Sequence, residues 1–135
     1  MGTIADGVVG VGTDLVDLDR FRDVLARTPS IVDRLFTADE RAYAERQRDP
    51  TPRLAARFAA KEAVLKSLGV GLGAASLRDI EVVRAESGAP AIVLHGGAAE
   101  VAAARGVARF AVSLSHTDLV AGATVLALGP GVPPT

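Results

Sequence analysis

The chain has 135 residues, of which 49% are apolar, 23% charged and only 4% aromatic, with a net charge of −1 and no cysteine. That length predicts one domain with a real core, built mainly from Ala, Val, Leu and Ile. The charge argues against a general nucleic-acid binder, and the missing cysteine excludes disulfides and thiolate metal sites and agrees with a reducing cytoplasm.

The opening "MGTIADGVVGVG" has no basic region followed by a long apolar run, so no signal peptide is expected. No apolar run reaches the roughly 18 residues that a membrane helix needs. "VVGVGTDLVDL" predicts a Val-rich strand, with Gly10 and Gly12 two residues apart. Glycines in a strand mark the close approach of a backbone or a ligand. Asp14 falls at or just past the expected strand end. "LDRFRDVLART" then spaces Leu18, Phe21 and Leu25 helically, and Pro29 ends it. Arg20, Arg22 and Arg27 lie on or near its polar side.

"TADERAYAERQR" carries Thr37 and Glu40 three residues apart, the signature of a capping box. The prolines of "DPTP" (49–52) predict a break and a flexible loop, followed by a long helix from Arg53 to Leu68. Gly69, Gly71 and Gly73 predict a turn after it. "DIEVVRAE" and "PAIVLHG" flank "SGA" as a hairpin, and "GAAEVAAARG" predicts a short helix with Gly106 at its C-cap. "RFAVSLSH" alternates Phe110, Val112 and Leu114 against Ala111, Ser113 and Ser115, a half-buried strand. Thr117 and Asp118 separate it from a last strand, "LVAGATVLAL", and a frayed tail is expected over 129–135. The order β-α-α-α-β-β-α-β-β predicts an α+β domain with an antiparallel sheet and helices packed on one face.

The charges inside "RFAAKEAVLKSLG" need an explanation, because a soluble helix keeps charge outside unless it uses it. Phe58, Glu62 and Leu65 share a stripe, which sets Glu62 near the buried face. An exposed bridge to Lys66, four residues on, explains Glu62 equally well. Asp14, taken alone, reads first as a cap or turn former. Two carboxylates from different elements, however, suit Mg²⁺, which prefers hard oxygens and is completed by substrate phosphates. Lys61, Lys66 and Arg57 could hold phosphate charge nearby, and the glycines at 69, 71 and 73 with Ser76 could offer N–H groups. His116 reads as a turn histidine when taken alone. With only His95 and His116, a histidine zinc site is not expected, and no nucleophile elbow surrounds Ser113 or Ser115.

Together, "GVGTDLVDLDRF", "RFAAKEAVLKSLGVGL" and "VSLSHTDLVAGATV" resemble, in order and spacing, the holo-acyl-carrier-protein synthases, the small trimeric 4′-phosphopantetheinyl transferases. The resemblance spans nearly the whole chain. It implies a magnesium-dependent transferase, with Mn²⁺ as a possible substitute. The enzyme would move 4′-phosphopantetheine from coenzyme A to a serine of an apo acyl carrier protein, for fatty acid or polyketide synthesis, releasing adenosine 3′,5′-bisphosphate. It implies that Asp14 and Glu62 hold the metal and that Lys66 contacts phosphate. Arg57, Gly69, Ser115, His116 and Thr117 match coenzyme A positions, Pro90 matches a proline beside the adenine pocket, and Arg20 matches a carrier contact. It also implies a cytoplasmic homotrimer with sites between subunits. Asp17 stands where the family usually has Glu. Two readings from other classes remain open at this point: a non-catalytic coenzyme A- or nucleotide-binding module, and an inactive trimeric scaffold.

Overall fold

Val and Gly alternate through Val8–Asp17, and these residues form the first strand, β1. In the computed structural model, residues 7–133 are described. The first six residues, half of the N-terminal stretch read above, and the last two of the tail lie outside them. The helices follow as α1 (Leu18–Arg27), α2 (Ile31–Leu35), α3 (Ala38–Ala44) and α4 (Thr51–Ser67). A short 3₁₀ turn (Leu77–Asp79) leads into strands β2 (Ile80–Arg84) and β3 (Pro90–Leu94), helix α5 (Gly96–Ala104), and strands β4 (Arg109–His116) and β5 (Val120–Leu128). The chain is α+β, as expected. Its strands, however, form two antiparallel sheets, β1-β5-β4 and β2-β3.

Local chemistry explains most boundaries. Asp17 accepts from the Arg20 N–H and so caps α1, which fixes this acid as a helix start. Thr37 and Glu40 form the expected capping box at α3. Gly69, at φ +72°, ends α4: its N–H reaches the Lys66 carbonyl and that of Val70 reaches Leu65. Residues 85–89 close the β2-β3 hairpin, with Gly88 at φ +89°.

Four expectations need correction. Asp14 lies inside β1, paired with Ala123, rather than at its end. "DPTP" is no loose loop: Thr51 and Pro52 are the first turn of α4, and the Asp49 carboxylate accepts from the Thr51 N–H. Proline is tolerated there because first-turn N–H groups have no helical partner. Helix α2 has no counterpart in the sequence reading, because five residues are too short to show a period. The turn between β4 and β5 runs through Leu119, closed by the Thr117 N–H on the Val120 carbonyl.

Helix α4 is the centre of the fold. It lies on one face of β1 and β5, and Ala55, Ala56, Ala59, Ala60 and Ala63 give it a seam of small residues. Strand β1 answers with glycine. A Cβ at Gly12 would sit 2.0 Å from the Ala63 carbonyl oxygen, and one at Gly10 2.0 Å from that of Ser67. These glycines therefore admit a backbone rather than a ligand, and Gly12 makes room for α4 instead of for the Asp14 side chain. The other face of the sheet carries Val11, Leu15 and Leu126, all exposed.

Gly12→Ala should therefore destabilise the fold by about 2–4 kcal/mol, since backbone-to-backbone crowding cannot relax by a rotamer change. Gly71→Ala, in open space, should stay within about 0.5 kcal/mol. Urea unfolding of both variants checks this, and equal midpoints would remove the packing explanation.

Candidate active site at the β1–α4 seam

Asp14 leaves β1 on the parity of Gly12 and Val16, toward α4, and Glu62 stands on the flank of α4 that meets it. Both line one cavity of about 270 Å³ with Leu15, Asp17, Arg20, Phe21 and Phe58. The ammonium of Lys66 donates to the Asp14 Oδ1 at 3.0 Å and to the Thr13 carbonyl at 2.9 Å. Lys66 thus bridges across to β1 instead of pairing with Glu62. The expected trio of Asp14, Glu62 and Lys66 is brought together.

Burial pushes the Glu62 carboxyl above its ordinary value, the Asp14 charge pushes it further, and Lys66 partly opposes both. Asp14, Asp17 and Glu62 bring three carboxylates to one cavity against the two cations Lys66 and Arg20, which leaves an excess of negative charge there. Oxygen donors of this kind suit a divalent hard cation, which would relieve the repulsion. Asp17, in the same lining, caps the start of α1, and among the described residues no third His, Cys, Asp or Glu completes a metal-holding group with Asp14 and Glu62. That fits Mg²⁺, which commonly takes one or two carboxylates and completes its shell with water and phosphate.

The other expected residues are dispersed. Ser115, His116 and Thr117 line a second cavity, of about 180 Å³, with Leu15, Val120 and Gly122 at the β4–β5 turn. Leu15 is common to that cavity and to the one beside Asp14. Gly69 serves as the α4 C-cap, with the exposed Arg105 donating to the adjacent Leu68 carbonyl. Pro90 opens β3. Arg20 is exposed at the rim of the carboxylate cavity, whereas Arg22 is engaged by Asp19 and Asp49.

Arg57 belongs to a third cavity, of about 270 Å³, between α3, α4 and β2. It is 5% exposed, and its Nε has no hydrogen-bond partner among the described residues. Its guanidinium lies 4.3 Å from the Tyr43 ring centroid, and Arg46, Arg53 and Arg84 stack around the same ring. Burial lowers the Arg57 pKa, yet a guanidinium remains charged. Four cations around one ring, with a buried unpartnered donor, make a site for a compact polyanion. The sequence reading missed Arg53, one turn before Arg57 on α4, and also Arg46 and Arg84, which come from the turn after α3 and from β2 and are collected only by folding.

Lys61 is not a phosphate ligand. It is fully buried and donates to the Glu40 carboxylate at 2.8 Å, the Leu77 carbonyl at 2.9 Å and the Ile80 carbonyl at 2.5 Å. Burial lowers its pKa, with Glu40 opposing.

Comparison with known proteins shows the family of the chain. Residues 10–123 match the family model described as the 4′-phosphopantetheinyl transferase superfamily. The holo-[acyl-carrier-protein] synthase of Frankia casuarinae is 51% identical over 120 residues, covering 89% of this chain and 97% of that protein. The crystal structure of the holo-ACP-synthase from Plasmodium yoelii superimposes with a TM-score of 0.81 at 30% identity, covering 92% of this chain and 97% of that one. The Helicobacter pylori holo-[acyl-carrier-protein] synthase, solved in complex with coenzyme A, gives 0.76 at 28% identity, over 87% of this chain and 98% of that one.

The raised Glu62 pKa makes a stability prediction. An unfolded glutamate ionises near its ordinary 4.5, and the folded one at higher pH. The stabilisation associated with the protonated form is therefore lost as pH rises through that window. At pH 7.5 without metal, Glu62→Gln should raise the melting temperature. Added Mg²⁺ should then raise that of the native protein but not of the variant. A variant less stable than the parent at pH 7.5 would contradict the electrostatic account.

Proposed function

The chain belongs to the 4′-phosphopantetheinyl transferase superfamily, among the holo-[acyl-carrier-protein] synthases, and from that membership we propose how its residues divide the work. The reaction moves 4′-phosphopantetheine from coenzyme A to a serine of an apo acyl carrier protein. The serine Oγ forms a bond to the β-phosphorus, the diphosphate P–O bond breaks, and adenosine 3′,5′-bisphosphate leaves. The serine proton passes to a base.

The observation that carries this reading is the Asp14–Glu62 pair with Lys66 at one cavity. Asp14 and Glu62 would hold Mg²⁺ or Mn²⁺, which supplies charge neutralisation for the diphosphate. Lys66, half exposed, offers a cation to the departing phosphate on the same side. The arginines around Tyr43 suit the 3′-phosphate of coenzyme A, a dianion remote from the reacting bond. Arg20, at the rim of the carboxylate cavity, faces an acidic carrier. The same reading puts the protein in the cytoplasm, serving fatty acid or polyketide synthesis. Purified apo-carriers of each kind, offered as acceptors, separate those two.

The dispersal of the coenzyme A residues supports a homotrimer. Ser115, His116 and Thr117 open beside the exposed Leu15, and Leu126 is exposed further along the same sheet face. A face of this kind on a 13.8 kDa chain calls for a partner. The sites would then be completed by His116 from one subunit and Asp14 and Glu62 from another.

Two experiments test this. Apo-carrier should gain the phosphopantetheine mass with coenzyme A and Mg²⁺. Asp14→Ala or Glu62→Ala should lower kcat/KM by about 10²-fold or more, and excess EDTA should stop transfer. In the same assay Arg20→Glu should raise the carrier KM about tenfold and leave that for coenzyme A within about twofold. Undiminished transfer in EDTA rejects the metal, and equal losses for both substrates reject the Arg20 assignment. Leu126→Asp should yield a monomer by light scattering and lose activity with it. A fully active native monomer at assay concentration rejects the shared site.

A further inference from the structure

The arginine cavity has an acid in its floor. Glu40 lines it beside Tyr43, Arg46 and Arg57 and is itself 1% exposed. Two backbone N–H groups, from Thr37 and Val82, donate to its carboxylate. A buried carboxylate at that place would repel any phosphate entering the cavity. Lys61 lies directly behind it, wholly buried, with its ammonium on the Glu40 Oε1. The two remaining donors of that ammonium are taken by the Leu77 and Ile80 carbonyls. No part of Lys61 is left to meet a ligand. Its charge is spent within the protein.

The contacts also span the cavity's three walls. Glu40 comes from α3, Lys61 from α4, and Ile80 and Val82 from β2. Those elements deliver Tyr43, Arg57 and Arg84 respectively, while Arg46 follows α3. The chain of contacts continues outward: the Thr37 hydroxyl donates to Glu81, and Glu81 meets His95 at 2.9 Å. Burial alone would raise the Glu81 pKa, but the hydrogen bonds from His95 and Thr37 outweigh it and hold it low. Glu81 is therefore a further anion at the cavity edge whose charge is already answered, and Asp39, the third acid of the lining, is exposed to solvent.

We propose that Lys61 is a positioning and charge-neutralising residue of the phosphate site. By cancelling Glu40 from behind and joining α3, α4 and β2, it makes the arginine cavity selective for the 3′-phosphorylated donor. This rests on the transferase reading above. It goes beyond that reading in assigning to an unexposed lysine, out of reach of either substrate, a share of donor selectivity.

The test compares coenzyme A with 3′-dephospho-coenzyme A as donors to the same apo-carrier at pH 8. It uses the native protein, Lys61→Met, Glu40→Gln and the double variant. The quantity read is the ratio of kcat/KM for the two donors. Lys61→Met, which exposes the phosphate to an uncancelled carboxylate, should lower the ratio by about tenfold, the scale of one unit charge in a part-buried site. Glu40→Gln leaves the lysine uncancelled and should raise it by several-fold. The double variant, with a neutral floor, should return to within about threefold of the native ratio. A lysine that only supports the fold would lower both donors alike and leave every ratio unchanged, and that result overturns the proposal.

Should Lys61→Met fail to fold, the rise in Glu40→Gln and the return in the double variant decide the matter. A native protein inactive with both donors rejects the transferase reading itself. One that transfers but does not discriminate rejects the phosphate assignment, and this proposal with it.

Discussion

The contact on which the rest depends is backbone against backbone, where α4 rests on β1. Gly10 and Gly12 let the Ser67 and Ala63 carbonyls approach to where any side chain would collide. Small residues along α4 keep the helix axis close to the sheet over its length. Close approach costs nothing in side-chain entropy, because alanine and glycine have no rotamers to lose. It also fixes the rotation of α4 about its own axis, since only one stripe of the helix is narrow enough to sit there. With that rotation set, every charged residue of the helix is assigned a neighbour.

Those neighbours differ sharply over one turn. Successive residues on a helix are about 100° apart, so Lys61 and Glu62 face different surroundings although they adjoin. Lys61 points to α3 and the start of β2, where a capping-box glutamate and two carbonyls receive it. Glu62 and Lys66 point toward the open end of β1 and Asp14. Arg57, on the Lys61 side one turn earlier, reaches the Tyr43 ring. One helix thus divides a buried structural cation from a part-exposed acid and base, and both are separated from an arginine cluster.

The carboxylate pair is strained and the lysine pair is satisfied. Glu62 is held above its ordinary pKa by burial and by Asp14, a cost that a cation at the site would remove. Lys61 and Glu40 have every polar atom answered, and this is the condition under which a buried ion pair is tolerated. Unfavourable charge concentrated at one cavity and matched charge elsewhere is the distribution expected of an active site in a stable scaffold.

The sequence by itself determined the kinds of element and most of their order. Period-two alternation marked β4, the Thr37–Glu40 spacing marked the start of α3, and glycines marked the ends of α4 and α5. It also named Asp14, Glu62 and Lys66, through the resemblance carried by three motifs together rather than through any one residue. The tertiary structure decided what each one meets. Lys66 turned to Asp14 rather than to Glu62, the residue four positions away. Lys61 proved to be core, and Arg53 and Arg57 of α4 were gathered with Arg46 and Arg84 from elsewhere in the chain. The prolines at 50 and 52 opened a helix instead of loosening a loop. Periodicity reports which residues share a face, and it carries no information about what covers that face. Only the packing of α3, β1 and β2 around α4 supplies that.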